Sequence, residues 1–405
     1  MFKTRPFTAL AAVGALALAA CGSSTGGGGA TAGATRQPPP KVNMLDKVGA
    51  GEGTVNVIAW AGYAEDGSND PKVDWVHPFE KLTGCKVNVK VANTSDEMVT
   101  LMHGGEYDVV SASGDATLRL IYAGDVAPVN TSLVPNYTTV FPFLKNRDWN
   151  SVEVGGKRQM YGIPHGWGAN LLMWNTKTVT PAPTSWGAVF AANSPYKGKV
   201  TAYDSPIYIA DAALYLMKTK PDLGIKNPFA LDDKQFQAAV ALLKTQRTLI
   251  GEYWADYTKE VQAFESGTSV VGTTWQVITN LVDADKKVPV KAIVPSEGST
   301  GWSDTWMVSS KTKHPNCSYK WMNWIISPSV NSQVAQWFGE APAQEKACAE
   351  PGMAEHCKTY HAEDKAYSDN IWYWTTPTKQ CLDGRTNTTC VDYSKWTQAW
   401  TEIKG

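Results

Sequence analysis

The feature that most constrains the fold of this chain is an alternation of short β-rich runs with longer helical patterns, beginning at Thr54. The spacing of apolar residues separates the two kinds of element. In chain order the predicted elements are strand Thr54–Trp60, helix Lys72–Leu82, strand Lys86–Val91, helix Ser95–Met102 and strand Asp108–Ser111. This order predicts parallel strand pairing, with helices on both faces of the sheet.

A second alternating unit follows the first. Its predicted elements are strand Val200–Tyr203, helices Ile207–Met217, Asp233–Leu249 and Val261–Glu265, strand Ser269–Thr274, helix Trp275–Ala284 and strand Val290–Val294. A chain of 405 residues is also too long for one ordinary core and suggests two domains of about 150 residues. The sequence therefore predicts an α/β protein with two lobes that face each other across a cleft. Ligands of open α/β sheets bind beyond the carboxyl ends of the strands.

The N-terminus has the pattern of an export signal. Basic Lys3 and Arg5 precede an apolar run, Phe7–Ala20, that is too short to span a membrane. The run ends in Leu18-Ala19-Ala20-Cys21-Gly22, which resembles the lipobox of bacterial lipoproteins. The resemblance implies a signal peptide over 1–20 and lipidation of Cys21. The alternative is an ordinary secretory signal with a chance cysteine. The Gly-, Ser- and Pro-rich segment 21–53 is predicted to be a flexible tether.

Six cysteines follow Cys21, and an even number in an exported chain favours disulfides. Six cysteines allow fifteen pairings in principle. The local choices are Cys348–Cys357 and Cys381–Cys390, which leave Cys85 and Cys317 to pair across a long separation. A zinc site is disfavoured because the chain has no CxxC motif and its histidines are scattered. We predict neither a metal nor a cofactor.

Aromatic and acidic residues gather where the predicted strands end. The residues at or just beyond these ends are Trp60, Tyr63, Ser113, Asp115, Asp204, Trp275, Trp302 and Asp304. Any single Trp is more easily explained as core, but the set of positions favours a binding site. Aromatic faces attract ammonium groups, and a buried carboxylate supplies the counter-charge. An anion site would instead need Arg, Lys or a Gly-rich loop at these positions. The pattern therefore indicates a small organic cation as the ligand.

Other classes of function have little support in the sequence. GxSxG, HExxH and Walker-type motifs are absent, so we predict that the protein is not an enzyme. The net charge of −1 gives no reason to expect a nucleic acid as partner. Two rivals stay open: a receptor for a quaternary amine, a basic amino acid or a sugar, and an exported glycan hydrolase using two of the acids at the strand ends. A surface adhesin has only the lipobox and the tether in its favour.

Five segments, in this order and spacing, resemble the spermidine/putrescine-binding proteins of bacterial ABC importers. They are Ile58–Tyr63 (IAWAGY), Tyr107–Ser113 (YDVVSAS), Ile163–Ala169 (IPHGWGA), Gly272–Trp275 (GTTW) and Trp302–Asp304 (WSD). The resemblance covers residues 54–344 and continues more weakly to the C-terminus. It implies a type II periplasmic-binding-protein fold with two chain crossings between the lobes. It also implies a monomer that takes a cationic amine and delivers it to the permease subunits of the transporter.

The resemblance assigns roles to individual residues. Trp60 and Tyr63 look like the aromatic wall of the first lobe, with Ser113 as a polar contact. Trp275 looks like the stacking residue of the second lobe. Trp302 and Asp304 match the family's Trp-x-Asp, whose acid takes the ligand's ammonium.

Three positions depart from the family pattern. Asp115 and Glu340 stand where aromatic residues are expected, and the acid pair after one strand is reduced to Asp204 with Ser205. Acidic residues still occur in the predicted site, although at different positions from those of the family. A cationic ligand is therefore still expected, while its length and the spacing of its charges are open.

The fold implied by the resemblance has consequences for the cysteines and for the division of the chain. In such folds the helix Cys317–Ser327 packs on the first lobe near the strand after Cys85, which implies a Cys85–Cys317 bond within that lobe. The predicted first lobe is 54–166 plus 301–344, and the second is 167–300 plus 345–405. Residues 345–390 look like an elaboration of this chain, from which Trp372 or Trp374 could reach the cleft.

Overall fold

The structure is a computed structural model that describes residues 38–284 and 288–405. The predicted signal peptide, Cys21 and most of the predicted tether lie outside the described residues. Within the described part of the chain, no helix has both the length and the apolar character needed to cross a bilayer.

Strands and helices alternate along most of the chain. The strands are β1 (Thr54–Ala59), β2 (Lys86–Val91), β3 (Val109–Ala112), β4 (Ser151–Val154), β5 (Lys157–Met160), β6 (Gly162–Ala169), β7 (Leu171–Asn175), β8 (Val200–Tyr203), β9 (Ile250–Trp254), β10 (Val271–Thr274), β11 (Val290–Ile293), β12 (Ser299–Val308), β13 (Ala341–Pro342) and β14 (Ile371–Tyr373). The helices are α1 (Val76–Thr83), α2 (Ser95–Gly104), α3 (Gly114–Ala123), α4 (Gly187–Phe190), α5 (Ile209–Thr219), α6 (Asp233–Gln246), α7 (Tyr257–Glu265), α8 (Gln276–Ala284), α9 (Pro315–Ile325), α10 (Pro328–Phe338), α11 (Met353–Thr359), α12 (Lys365–Asp369) and α13 (Tyr393–Lys404).

The strands form two main sheets, each of which combines parallel strands with antiparallel ones. The first has the order β13-β6-β12-β3-β1-β2, with β14 beside β12, and the second has the order β11-β7-β10-β8-β9. In the first sheet β1 is parallel to β2 and β3, whereas β12 is antiparallel to β3 and β6. In the second, β8 is parallel to β9 and β10, whereas β7 is antiparallel to β10 and β11. The predicted two-lobed α/β fold is confirmed.

The chain passes between the sheets where these antiparallel strands begin or end. It leaves the first sheet at Asn170, between β6 and β7, and returns between β11 and β12. A third passage follows β14: Trp374 belongs to the apolar core of the second sheet, as do Trp396 and Trp400 of α13. The C-terminal segment therefore adds a passage to the two that the family resemblance implies.

The packing supports a change to one predicted lobe boundary. Met353, Cys357 and Ala362 lie in the core of the first sheet, and β14 extends that sheet beside β12. We therefore propose that residues 345–373 belong to the first lobe rather than to the second. The other divisions stay as predicted.

Most predicted elements of the two units occur within a few residues of their expected places, with two main differences. The first helix begins at Val76 rather than Lys72, because the preceding residues form a turn with a bridge between Asp66 and Asp74. The segment around Trp302 and Asp304 was predicted to follow a strand, but both residues lie in the middle of β12. All ten residues of β12 are buried, so it has no amphipathic alternation that would have revealed it.

The six cysteines pair as Cys85–Cys317, Cys348–Cys357 and Cys381–Cys390, the arrangement expected from the sequence and the family resemblance. Cys85 lies between α1 and β2, and Cys317 lies in α9. The first bond therefore joins two elements that pack on the first sheet, and it leaves the passages between the sheets unconstrained.

Residues 38–53 are not the free tether that their composition suggests. Leu45 and Val48 pack on the core of the first sheet. The Glu52 carboxylate accepts hydrogen bonds from the backbone N–H groups of Asn316 and Cys317, at 3.0 and 2.9 Å. These contacts satisfy free N–H groups at the beginning of α9, where a helix favours negative charge.

Candidate ligand-binding site

Asp304 lies at the centre of a buried polar cluster on the first sheet. It is 3% exposed, and in β12 it faces Gly166 of β6. Its Oδ1 accepts a hydrogen bond from the Ser113 hydroxyl, and its Oδ2 accepts one from the Tyr63 hydroxyl at 2.8 Å. Burial raises the pKa of Asp304 to about 6, against the lowering effect of these two hydroxyls. The sequence analysis nominated all three of these polar residues, and the structure brings them together.

Glu340 joins the same cluster from the segment after α10. Its side chain is fully buried, and its Oε2 lies 2.8 Å from the Tyr63 hydroxyl oxygen. Burial and the nearby Asp304 carboxylate raise the pKa of Glu340 well above its ordinary value. The other oxygen, Oε1, is buried and has no hydrogen-bond partner in the structure. One tyrosine hydroxyl thus connects two carboxyl groups.

His165 of β6 covers the other side of this cluster. Its ring packs edge-on against Tyr63 with 4.3 Å between centroids, and its Nε2 lies 3.0 Å from the Ser111 hydroxyl. Its Nδ1 has no hydrogen-bond partner and lies 3.7 Å from Glu340 Oε1. Burial lowers the pKa of His165 to about 3, so the ring is neutral at physiological pH.

Two glycines of β6 create the room that this arrangement needs. A Cβ atom on Gly166 would lie 2.0 Å from the Glu340 carboxyl carbon, and one on Gly168 would lie 2.7 Å from the Trp302 ring. Either approach is closer than real Cβ contacts allow. The glycines therefore let a carboxyl group and an indole lie directly on the strand.

Aromatic rings from both sheets meet beside the acidic cluster. Trp302 of β12 and Trp275, which follows β10, have ring centroids 6.0 Å apart in an edge-to-face arrangement. Both line a small pocket with Glu340 and Tyr360. The ring of Tyr203, the last residue of β8, has its centroid 5.4 Å from that of Trp275. The sequence analysis missed Tyr203, although it immediately precedes Asp204 and so occupies a strand end itself.

Trp275 is also bound to the first passage between the sheets. Its Nε1 donates a hydrogen bond to Asn170 Oδ1 at 3.0 Å. The Asn170 amide in turn donates to the Thr300 hydroxyl at 2.6 Å, and that hydroxyl donates to Asp211 Oδ1 at 2.9 Å. Burial raises the pKa of Asp211 to about 7. The Trp275 indole is thereby connected to both places where the chain passes between the sheets, at Asn170 and at the beginning of β12.

The other aromatic candidates differ in position. Trp60 is partly buried beside the core of the first sheet, and its Nε1 is buried without a partner. Trp374, whose position the sequence left open, is 3% exposed and stacks on Tyr203 with 5.5 Å between centroids. Its backbone carbonyl lies over Gly114, the first residue of α3, where a Cβ would leave only 1.8 Å. Trp372 is only partly buried at the second core.

Asp115 and Asp204 are engaged by other groups. Asp115 accepts hydrogen bonds from Ser95 at 2.9 Å and from Tyr393 at 3.2 Å, and burial raises its pKa. Asp204 forms an ion pair with Lys404 at 2.6 Å and accepts a hydrogen bond from the Trp400 indole. Both partners of Asp204 come from α13, a helix for which the sequence analysis made no prediction. Among these acids in the described structure, Asp204 pairs with a cation, whereas Asp304 and Glu340 are joined to each other through the Tyr63 hydroxyl.

Comparisons with known proteins agree with this architecture. The family model described as bacterial extracellular solute-binding protein matches residues 74–359. The putrescine-binding periplasmic protein SpuD of Pseudomonas aeruginosa is 25% identical over 297 residues, which cover 69% of this chain and 75% of that protein. The spermidine/putrescine-binding periplasmic protein of Escherichia coli is 24% identical over 265 residues, or 64% of this chain and 71% of that protein.

A solved structure extends the likeness to the fold. The spermidine/putrescine ABC transporter substrate-binding protein PotD of Streptococcus pneumoniae has a TM-score of 0.65 and 17% sequence identity. The match covers 86% of this chain and 97% of that one. Since the family model spans most of the chain and the two-lobed fold agrees with it, this protein belongs to the bacterial extracellular solute-binding protein family.

Proposed function

We propose that this protein is the substrate-binding component of an ABC importer and that it binds a small organic amine cation between its two lobes. The single observation that carries the proposal is Asp304, a buried carboxylate that neither Lys nor Arg contacts within the described part of the chain. A buried carboxylate without a counter-ion is costly, and an entering ammonium supplies that counter-ion.

The surroundings of Asp304 suit an ammonium group better than an anion. Ser113 and Tyr63 hold the carboxylate in a fixed position, which reduces the ordering that the ligand must impose. Trp302 and Trp275 line a pocket together with Glu340, and aromatic faces attract ammonium groups by about 0.5–2 kcal/mol per contact. The named ligands of the curated relatives, putrescine and spermidine, have the same chemistry.

The arrangement of the aromatic residues also supports a mechanism of closure. Trp302 belongs to the first sheet and Trp275 follows a strand of the second, so a ligand that contacts both rings contacts both lobes. Such a ligand favours the closed state by its differential affinity for that state. No chemical step is part of this proposal.

The proposed place of action is outside the cytoplasmic membrane. The curated relatives are named as periplasmic proteins, and disulfides persist in exported proteins. We propose that Cys21 is the lipid anchor and that the protein acts as a monomer that delivers its ligand to the membrane permease. Mass spectrometry of the mature N-terminus would test the anchor, and a mature chain that does not begin at a lipid-modified Cys21 would exclude it.

A thermal-shift screen of the purified protein tests the class of ligand. Putrescine, spermidine, cadaverine and agmatine are compared with choline, basic amino acids and neutral sugars. A ligand present at a hundredfold excess over its dissociation constant adds about 2.7 kcal/mol to the free energy of unfolding. We expect the amines to raise the transition temperature. If only the sugars raise the transition temperature, the ligand is a sugar and the proposed amine function is wrong.

A further inference from the structure

One tyrosine hydroxyl lies within hydrogen-bond distance of both carboxyl groups of the buried cluster. The Tyr63 hydroxyl oxygen lies 2.8 Å from Asp304 Oδ2 and 2.8 Å from Glu340 Oε2. A tyrosine hydroxyl has a single proton and can donate it to only one of the two carboxyl groups. The other contact is a hydrogen bond only if that carboxyl group itself carries a proton and donates it to the tyrosine oxygen.

The remaining contacts show which carboxyl group holds the extra proton. Asp304 accepts hydrogen bonds on both oxygens, from Ser113 and from Tyr63, as an ionised carboxylate does. Glu340 has only the contact with Tyr63, and its other oxygen has no partner. The donors therefore form one directed chain in which Glu340 donates to Tyr63 and Tyr63 donates to Asp304.

The groups that face the pair give it no compensating positive charge. His165 of β6 is neutral, and its unpartnered Nδ1 lies 3.7 Å from Glu340 Oε1. His356 of α11 contacts only the backbone carbonyl of Glu340, at 2.8 Å, and burial lowers its pKa. Asp115 of α3, Tyr203 of β8 and Tyr360 near α11 are further titratable neighbours, and none of them is a cation. Two ionised carboxylates in this place would repel each other in a medium of low polarity.

We propose that Glu340 carries a proton in the ligand-free protein at neutral pH, and that an amine cation entering between Glu340 and Asp304 displaces this proton. In the displacement the O–H bond of the Glu340 carboxyl group breaks and its proton passes to the solvent buffer. The ammonium group then provides the positive charge between the two carboxylates. The displacement rests on the proposed amine function, whereas the stored proton does not.

Because Glu340 holds this proton, its protonation state sets the negative charge of the carboxyl pair and so the positive charge that the site accepts from a ligand. With Glu340 neutral, the pair holds one negative charge before the ligand arrives and two after the proton leaves. Amine binding then releases about one proton, and its association constant rises about tenfold per pH unit over the range in which Glu340 stays protonated without ligand.

Infrared spectroscopy of the ligand-free protein tests the stored proton. The spectrum at pH 7 is recorded for the wild type and for Glu340→Gln, and their difference isolates the C=O stretch of a protonated Glu340. Glu260→Gln is the matched control, because Glu260 is another fully buried acid with a raised pKa but lies beside Thr201 in the second lobe. We expect each variant to lose a different band. A difference spectrum without a carboxylic acid band for Glu340 overturns the proposal.

A second variant keeps the test valid if Glu340→Gln does not fold. Tyr63→Phe removes the acceptor of the Glu340 proton but leaves both carboxyl groups. We expect the carboxylic acid band to remain and to move to a higher frequency, because its hydrogen bond is lost. A spectrum identical to that of the wild type overturns the directed chain from Glu340 to Asp304.

Calorimetry tests the displacement. Putrescine and spermidine are titrated at pH 7 in buffers with different ionisation enthalpies, and the slope of the observed enthalpy against the buffer enthalpy gives the protons released. We expect about one proton for the wild type and for Glu260→Gln, and close to none for Glu340→Gln. Binding to the wild type without buffer dependence overturns the displacement. Failure of every amine to bind, with the Glu340 band present, contradicts the proposed function and leaves the stored proton standing.

Discussion

At Asp304 the chain keeps a carboxylate out of water without an ion-pair partner in the described structure, and this arrangement weakens the free protein. Burial raises the pKa of Asp304 to about 6 from an ordinary value of about 3.9. A folded protein that binds the proton more tightly than the unfolded chain is less stable once the pH exceeds both values. The shift corresponds to about 3 kcal/mol at neutral pH. The ligand's ammonium would recover part of this free energy.

Removal of this charge should make the stability of the free protein less dependent on pH. In Asp304→Asn no charge forms at this position, so the variant escapes the loss of stability that the wild type undergoes between pH 4 and pH 6. We expect the variant's free energy of unfolding, relative to the wild type, to rise over this window by up to about 3 kcal/mol. Denaturant unfolding at pH 4, 5, 6 and 7 measures the difference. A difference that does not change with pH would contradict the raised pKa.

Gly166 should be intolerant of any side chain because Glu340 occupies the space beside it. A Cβ atom would lie 2.0 Å from the Glu340 carboxyl carbon, so we expect Gly166→Ala to lose about 1–3 kcal/mol of stability. Combination with Glu340→Ala should restore most of the loss, and urea unfolding of the single and double variants measures this coupling. Gly104→Ala is the control, since nothing lies within 4 Å of its Cβ position. If the stability losses of the two single variants add in the double variant, the Glu340 side chain is not the group that the new methyl group displaces.

Some residues of the site could be identified from the sequence, and others could not. Asp304, Tyr63 and Ser113 were found because they lie in segments that resemble a known family. The partners of Asp204 could not be found, because Lys404 and Trp400 come from a C-terminal helix far along the chain. A local sequence pattern cannot predict contacts between residues that come together only because the chain makes a third passage between the sheets.

At the level of elements, the local patterns predicted most of the strands and helices of the two α/β units but not β12, the central strand of the first sheet. β2 has the predicted bounds, and its sequence alternates polar residues with valines, although Val87 is the one buried residue of the strand. β12 is buried along its whole length, and its residues include Ser, Thr, Gly and Asp as well as Trp. Its strand character comes from pairing with β6 and β3 on either side, which is a tertiary effect.

The disulfide between Cys85 and Cys317 should contribute more stability than the two short-loop bonds. Its cysteines are 232 residues apart, whereas those of Cys381–Cys390 are 9 apart. In the chain-entropy model the long loop corresponds to about 5 kcal/mol and the short one to about 2.5 kcal/mol. We expect the Cys85→Ser, Cys317→Ser double variant to lose more free energy of unfolding than the matched Cys381→Ser, Cys390→Ser double variant. Equal losses, measured by denaturant unfolding, would contradict this ranking.

At the level of the whole molecule, the order of elements was enough to predict two α/β lobes, and the comparisons agree with that fold. The elaboration after residue 344 was beyond the sequence patterns, and it contributes β14 to the first sheet and α13 to the core of the second. Its Trp374 lies between Gly114 and Tyr203, and so connects groups from the two sheets. The segment after residue 344 thus adds a contact between the two sheets.

Isothermal titration calorimetry tests whether an amine cation binds at Asp304. Putrescine and spermidine are titrated into the wild type, into Asp304→Asn and into Asp369→Asn. Asp369 is the control because it is an exposed acid that pairs only with Lys365 on the surface. We expect the wild type and Asp369→Asn to bind alike, and Asp304→Asn to bind at least about tenfold more weakly, the scale of one lost charge-assisted contact. Equal affinity of Asp304→Asn and the wild type, or no binding of either amine to the wild type, would contradict the account.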